Sequence, residues 1–396
     1  MASSDLLLPP GAVLFHIGPY KTGTTSLQAS LFAARDGFAE HGVYYPGKWR
    51  RAMREGWALI QWTPAGRRDP DPVGYWEDFA HDIRDHADMR SCLSSEDLAA
   101  TRAELAQKAV EDLGGDRVHI VMVLRRFDRL LPSMWQERVK GWDRRTYAEW
   151  LHEVLLEDDE AQAHRAFWRA QDVARVAGNW LTAVPPDRFH VIIADETDRD
   201  RLPRTFEQML GLPERMLVPQ DIDNASLNAN AAELVRRMNV RFAQRDWPER
   251  LQFHSIYKGA AEQMMHTPRT SVDVGIPPLP EWAVEPLRAL SDKRIADVAE
   301  LGLDVIGDPE LLRLPESVAE EARETPFPDA ISLDQAEAAL YGAIAGTLKH
   351  SREKAREQAA RRDAEPGSRP VSEVPARELA RIIAKRVASR VDPRRS

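Results

Sequence analysis

Val13-Leu14-Phe15-His16-Ile17-Gly18-Pro19-Tyr20-Lys21-Thr22-Gly23-Thr24-Thr25-Ser26-Leu27 is the stretch whose reading decides the fold. A short apolar run ends in Gly18, Lys21 stands in a brief loop, and hydroxyl residues open what reads as a helix. A strand, a turn and a helix N-terminus in that order make an anion cradle. Backbone N–H groups and the positive end of the helix dipole converge on such a turn. The spacing nearly matches the phosphate-binding pattern G-x-x-x-x-G-K-[ST]. Gly18 and Gly23 fit it, but Thr24 takes the lysine position and the lysine lies inside the loop, at Lys21.

The apolar run over 12–17 does not alternate, which predicts a strand buried on both faces of a parallel sheet. Leu27, Leu31 and Phe32 then recur at helical spacing over 24–35. Further strands are expected at 43–45, 91–94, 118–124 and 189–194. Helices are expected at 75–86 and 101–112, and after Arg125 with Leu130, Met134 and Val139 facing the core. More follow at 147–156, 171–182, 230–243, 285–301 and 333–349. Strands separated by helices predict an α/β fold: a mainly parallel central sheet flanked by helices, with a helical C-terminal extension. Segment 48–88 holds several tryptophans and the turn-rich Arg67–Pro72. It reads as an ordinary connection in preference to a substrate-facing insertion. Residues 351–369 are charged and poor in apolar side chains, and read as solvated or disordered. The weakly amphipathic 376–391 reads as a docked or solvated terminal helix in preference to a membrane or partner contact.

Composition sets limits. The chain has 396 residues, 43% of them hydrophobic and 30% charged, which suits a globular protein with a sizeable core. A net charge of −9 gives no general case for nucleic-acid binding, so an anionic ligand must be held by local clusters. A lone cysteine, Cys92, rules out an internal disulfide and a cysteine-based zinc site, and reads as a small core residue. No run reaches the ~20 apolar residues of a membrane span, and the first residues lack the pattern of a leader. The expected location is the cytoplasm.

A second anion cluster follows the strongest strand: Arg125, Arg126 and Arg129 leave Val118–Leu124, and Ser133 comes one to two turns later. In a parallel α/β sheet ligands collect beyond the carboxyl ends of strands, so both clusters could face one crevice. A ligand with two separated phosphate-type groups suits that arrangement.

With these residues in view, the chain resembles the sulfotransferases that use 3′-phosphoadenosine 5′-phosphosulfate (PAPS), carbohydrate-modifying ones in particular. Gly18–Gln28 is similar to their 5′-phosphosulfate loop, and Leu124-Arg125 with Ser133 to their 3′-phosphate site. The resemblance implies a P-loop nucleoside-kinase-like sulfotransferase fold, with the sulfotransferase domain over 1–315 and its core over 12–240. A helical extension over 316–350 and a charged tail over 351–396 would follow. It implies sulfuryl transfer from PAPS, without a metal, to a hydroxyl or amine of a small-molecule or glycan acceptor, a carbohydrate or glycolipid. Thr22, Gly23, Thr24, Thr25 and Ser26 would hold the 5′-phosphosulfate. Arg125 and Ser133 would bind the 3′-phosphate, and Lys21 would stabilise charge on the leaving oxygen. A base is also needed; Glu96, at the end of Ser94-Ser95-Glu96, is the candidate, against an equal reading as a capping or salt-bridged carboxylate. His16 reads as a core histidine in preference to a base.

The sequence departs from the family in places. Arg126-Phe127 stands where Asn-Pro is common, which leaves Arg126 against Arg125 open. Lys258-Gly259 is too short a match to assign adenine contacts. Two rival readings remain: a P-loop kinase or NTPase using ATP and Mg²⁺, with Asp195-Glu196 as the metal-directing acid, and a non-catalytic nucleotide-binding protein.

Overall fold

The computed structural model describes residues 6–62, 72–218, 220, 226–364 and 377. Strand β1 (Val13–Gly18) leads through the loop into α1 (Thr24–Ala34). Then come β2 (Val43–Tyr44), α2 (Met53–Leu59), α3 (Pro72–Asp85), β3 (Arg90–Ser94), α4 (Ala103–Leu113) and β4 (Val118–Leu124). Four helices follow, α5 (Phe127–Lys140), α6 (Tyr147–Leu156), α7 (Gln162–Gln171) and α8 (Val173–Trp180), before β5 (Phe189–Ile193). After α9 (Arg201–Leu210) and α10 (Ala229–Gln244), one helical segment combines α11 (Glu249–Gln252), a π-helical stretch (Phe253–Ala261) and α12 (Glu262–His266). The described chain closes with α13 (Glu281–Glu300), β6 (Asp304–Ile306), α14 (Glu316–Glu321) and α15 (Leu333–Ala364).

The six strands form one parallel sheet in the order β2-β3-β1-β4-β5-β6. Every residue of β1 is buried, which is why its sequence does not alternate. Val13, Phe15 and Ile17 join Ile83, Val110 and Trp180 on one face, while Leu14 joins Leu31, Phe206 and Met209 on the other. Register sets His16 beside Ser94 of β3 and Val13 beside Val118 of β4. The connection leaving β1 runs toward β2, whereas that leaving β3 crosses β1 to reach β4. The carboxyl ends of β1 and β3 therefore make the crevice where ligands bind in open sheets of this kind.

A third core builds a helical lobe beside the sheet. Trp135, Trp150 and Phe167 of α5–α7 pack with Val235 of α10, Ile256 of the π-helical stretch and Ala338 of α15. The sequence reading is corrected in three places. The helix expected at 171–182 is α8, shorter at both ends and preceded by the unexpected α7; it starts at Asp172, whose carboxylate caps it by accepting from the Arg175 N–H at 3.0 Å. The last helix passes residue 349 and reaches Ala364, because Glu, Lys, Arg, Gln and Ala are strong helix formers even where no apolar face is present. Strand β6 spans three residues, too few for a periodic signal. The turn-rich Arg67–Pro72 falls, apart from Pro72, outside the described residues, as does 376–391 apart from Arg377. No described helix is long and apolar enough to cross a membrane. Cys92 is buried, and burial pushes its thiol pKa up, as befits a core residue.

Candidate active site

The site starts where β1 ends. Gly18 has φ +93°, and a Cβ there would sit 2.8 Å from the Glu96 Cβ and 2.9 Å from its Cα. Only glycine lets the end of β1 lie against the turn that follows β3. Beyond it, Lys21 and Gly23 both adopt left-handed conformations, at φ 69° and 94°. The Thr22 hydroxyl closes the loop by donating to the Pro19 carbonyl at 2.8 Å. Gly23 then caps α1 without a side-chain hydrogen bond, and no acidic residue occupies the first turn. The N–H groups of Thr24, Thr25 and Ser26 are thus the open donors of a helix whose positive end faces the crevice. These residues fit an anion such as a phosphosulfate.

Other elements hold the loop in place. Arg125 Nη1 donates to the Lys21 carbonyl at 3.0 Å across 104 residues of sequence. Gln171 Nε2 donates to the Tyr20 carbonyl at 3.3 Å. Behind both lies Arg294, buried, with Nη1 on the Arg125 carbonyl (3.0 Å), Nη2 on the Gln171 carbonyl (2.6 Å) and its guanidinium 4.1 Å from the Phe127 ring centroid. Burial lowers its pKa to about 9. A cavity of about 520 Å³, lined in part by Phe127, Trp168, Gln171 and Arg294, shares these supports but includes none of Lys21, Glu96 or Arg125.

Each cation at the crevice has a carboxylate partner. Lys21 pairs with Glu137 at 2.9 Å. Burial pushes the Glu137 carboxyl up, but Lys21 and Lys140 outweigh it and hold the group at about 2. Arg125 forms a two-pronged pair with Glu196, at 2.6 and 2.9 Å, whose hydrogen bond holds the Glu196 carboxyl below its ordinary range. Arg126 is turned onto Asp128 of its own helix, at 3.0 and 2.9 Å. Of the two arginines, then, Arg125 is the one that touches the loop. Ser133 is half-buried on α5 and has no hydrogen-bond partner among the described residues.

Glu96 sits at the junction. It is buried, its Oε2 accepts from the Thr24 hydroxyl at 2.5 Å, and its Oε1 pairs with Arg51. Burial raises its pKa, and Arg51 and the Thr24 hydrogen bond oppose that rise; Lys21 is near enough to contribute. It is both salt-bridged and in contact with the loop. His16 is a core residue: Nδ1 meets Ser94 Oγ at 2.8 Å, the ring packs edge-on to Phe206, and burial lowers its pKa to about 3.

Sequence reasoning missed Arg51, Glu137, Gln171 and Tyr257, whose hydroxyl donates to Glu137 at 3.0 Å; they lie in no motif and reach the site through tertiary packing alone. Arg51 had a signal only in hindsight, since it belongs to the Trp-rich segment already singled out. In that segment Trp49 and Trp62 are 61% and 49% exposed, whereas Trp76 is buried in the core with Nε1 on Asp112.

No family model matches the chain, and no curated protein does. Among solved structures, a sulfotransferase from Alicyclobacillus acidocaldarius aligns at 17% identity over 52% of this chain and 83% of that one, with a TM-score of 0.33. An overlay this loose carries no argument about what the chain does.

Proposed function

We propose that this protein is a sulfotransferase that takes PAPS as donor and passes its sulfuryl group to a hydroxyl or amine of a carbohydrate or glycolipid acceptor. The observation that carries this reading is the Arg125–Lys21 hydrogen bond. It brings the Arg125 guanidinium against the Lys21 loop, which supports reading the two elements as one site for a donor with two phosphate-type groups.

In this account the open N–H groups of α1, Thr24 included, and the hydroxyls of Thr25 and Ser26 receive the 5′-phosphosulfate, together with Thr22 and Gly23, while the Thr24 hydroxyl stays on Glu96. Arg125 exchanges Glu196 for the 3′-phosphate, and Ser133 adds a hydroxyl. Lys21 leaves Glu137 and stabilises negative charge on the bridging oxygen as the S–O bond to the nucleotide breaks. Glu96 takes the acceptor proton as the acceptor oxygen bonds to sulfur, leaving adenosine 3′,5′-bisphosphate as product. The chemistry is in-line positioning and electrostatic stabilisation. The exposed Trp49 and Trp62, on the segment that Arg51 ties to Glu96, offer flat apolar faces on which sugar rings can stack.

Against the ATP–Mg²⁺ reading, Asp195 accepts from Thr197 (2.6 Å) and Arg201 (3.3 Å). The test is transfer of labelled sulfuryl from PAPS across a panel of glycans. Glu96→Gln should abolish turnover while PAPS affinity stays nearly intact. Unchanged turnover would reject the base assignment, and no transfer to any acceptor would count against the reading itself.

A further inference from the structure

The π-helical stretch Phe253–Ala261 and α15 touch backbone to backbone. A Cβ on Gly346 would collide with the His254 carbonyl, and Cβ atoms on Gly259 and Gly342 would each collide with the other's carbonyl oxygen. At this contact the His254 and His350 rings stack with centroids 4.8 Å apart. His254 Nε2 is 3.7 Å from Glu353 Oε2. One donor atom from each of His254, His350 and Glu353 lies within 4.8 Å of the other two. His350 Nδ1 is buried and has no hydrogen-bond partner among the described residues.

We propose that His254, His350 and Glu353 form a zinc-class metal site that fastens the C-terminal half of α15 to the π-helical stretch. Two imidazoles and one carboxylate are an N/O donor set suited to that ion, with the fourth position open. His350 and Glu353 are three residues apart and share one face of α15. Tetrahedral zinc, with bonds of roughly 2.0–2.2 Å, puts its donors about 3.3–3.6 Å apart. The His254–Glu353 pair is already close to that spacing, and side-chain rotation supplies the rest. A bound ion would also satisfy the stranded His350 nitrogen, which otherwise costs stability. π-Helical turns are rare and collect at functional sites, and here one delivers His254 to the cluster.

The full chain, without an affinity tag, is stripped with EDTA and titrated with zinc chloride. The expected result is one zinc per chain, a rise of a few degrees in the unfolding midpoint, and slower amide exchange across residues 347–360. Glu353→Gln and His350→Ala should each weaken binding at least about tenfold. His119→Ala should not, although His119 lies 3.0 Å from His190 in a separate imidazole pair. If His350→Ala fails to fold, Glu353→Gln decides, since that side chain is 36% exposed. No zinc-dependent shift, or zinc held as tightly by Glu353→Gln as by the native chain, would overturn the proposal.

Discussion

Lys21 Nζ lies 2.9 Å from Glu137 Oε2, so the cation that sets this loop apart from the usual phosphate-binding pattern rests on a carboxylate of α5. Glu137 also receives Lys140 Nζ at 2.7 Å and the Tyr257 hydroxyl at 3.0 Å. In the proposed account this pairing holds Lys21 beside the loop and keeps a negative charge next to the anion the loop would bind. Glu137→Gln should remove that repulsion and tighten binding of adenosine 3′,5′-bisphosphate by about 2–5-fold at low salt, the range of a partly exposed charge pair. Calorimetry at two ionic strengths checks this, and weaker binding would show that Glu137 positions Lys21 instead of competing for it.

The same pair makes stability depend on acid. The folded protein holds the Glu137 carboxyl at about 2, below the ordinary value of 4.5, so the unfolded chain takes up that proton more readily. The contribution is complete above about pH 4.5 and disappears as pH falls toward about 2. Urea unfolding of the native chain and Glu137→Gln should therefore show a stability difference that shrinks between pH 5 and pH 2.5. A difference that does not change over that window would contradict the assigned pairing.

Arg125 has two tasks in this account: it supports the loop through the Lys21 carbonyl and receives the 3′-phosphate. Arg125→Ala should lower affinity for adenosine 3′,5′-bisphosphate by roughly 10–100-fold, the worth of a charge-assisted contact. Affinity for adenosine 5′-phosphate should fall much less. Equal losses for both nucleotides would leave Arg125 a loop support only.

Gly18→Ala should cost about 1–3 kcal/mol, since it combines a left-handed backbone with a Cβ pressed on the Glu96 main chain. Denaturant midpoints measure the loss. Turnover should fall further than stability, because the substitution pushes apart the two elements that bring Glu96 to Thr24.

What could be read in the sequence was local. β1, its loop and α1 are contiguous, and burial on both faces leaves a plain apolar run, so the central strand and the strand–loop–helix order were legible. Arg125 was legible because it ends an equally plain strand. The partners were not: Glu137 and Glu196 meet their cations across 116 and 71 residues, and Arg51 meets the Glu96 carboxylate across 45, and no periodicity encodes such pairs. Nor did composition reveal that Ser351–Ala364 stays helical, because helix propensity there acts without an apolar stripe. His16 was legible as a core residue from its apolar neighbours, and its contact with Ser94 follows from strand register.

The most direct measurement of the central claim is thermal unfolding with adenosine 3′,5′-bisphosphate in the presence of EDTA, run beside ATP with magnesium. A ligand that binds only the folded state raises the midpoint in proportion to its saturation. A donor site built on Lys21, α1 and Arg125 predicts a clear rise with the bisphosphate alone, abolished by pairing Lys21→Ala with Arg125→Ala. Stabilisation by ATP only when magnesium is present, with none from the bisphosphate, would contradict the account.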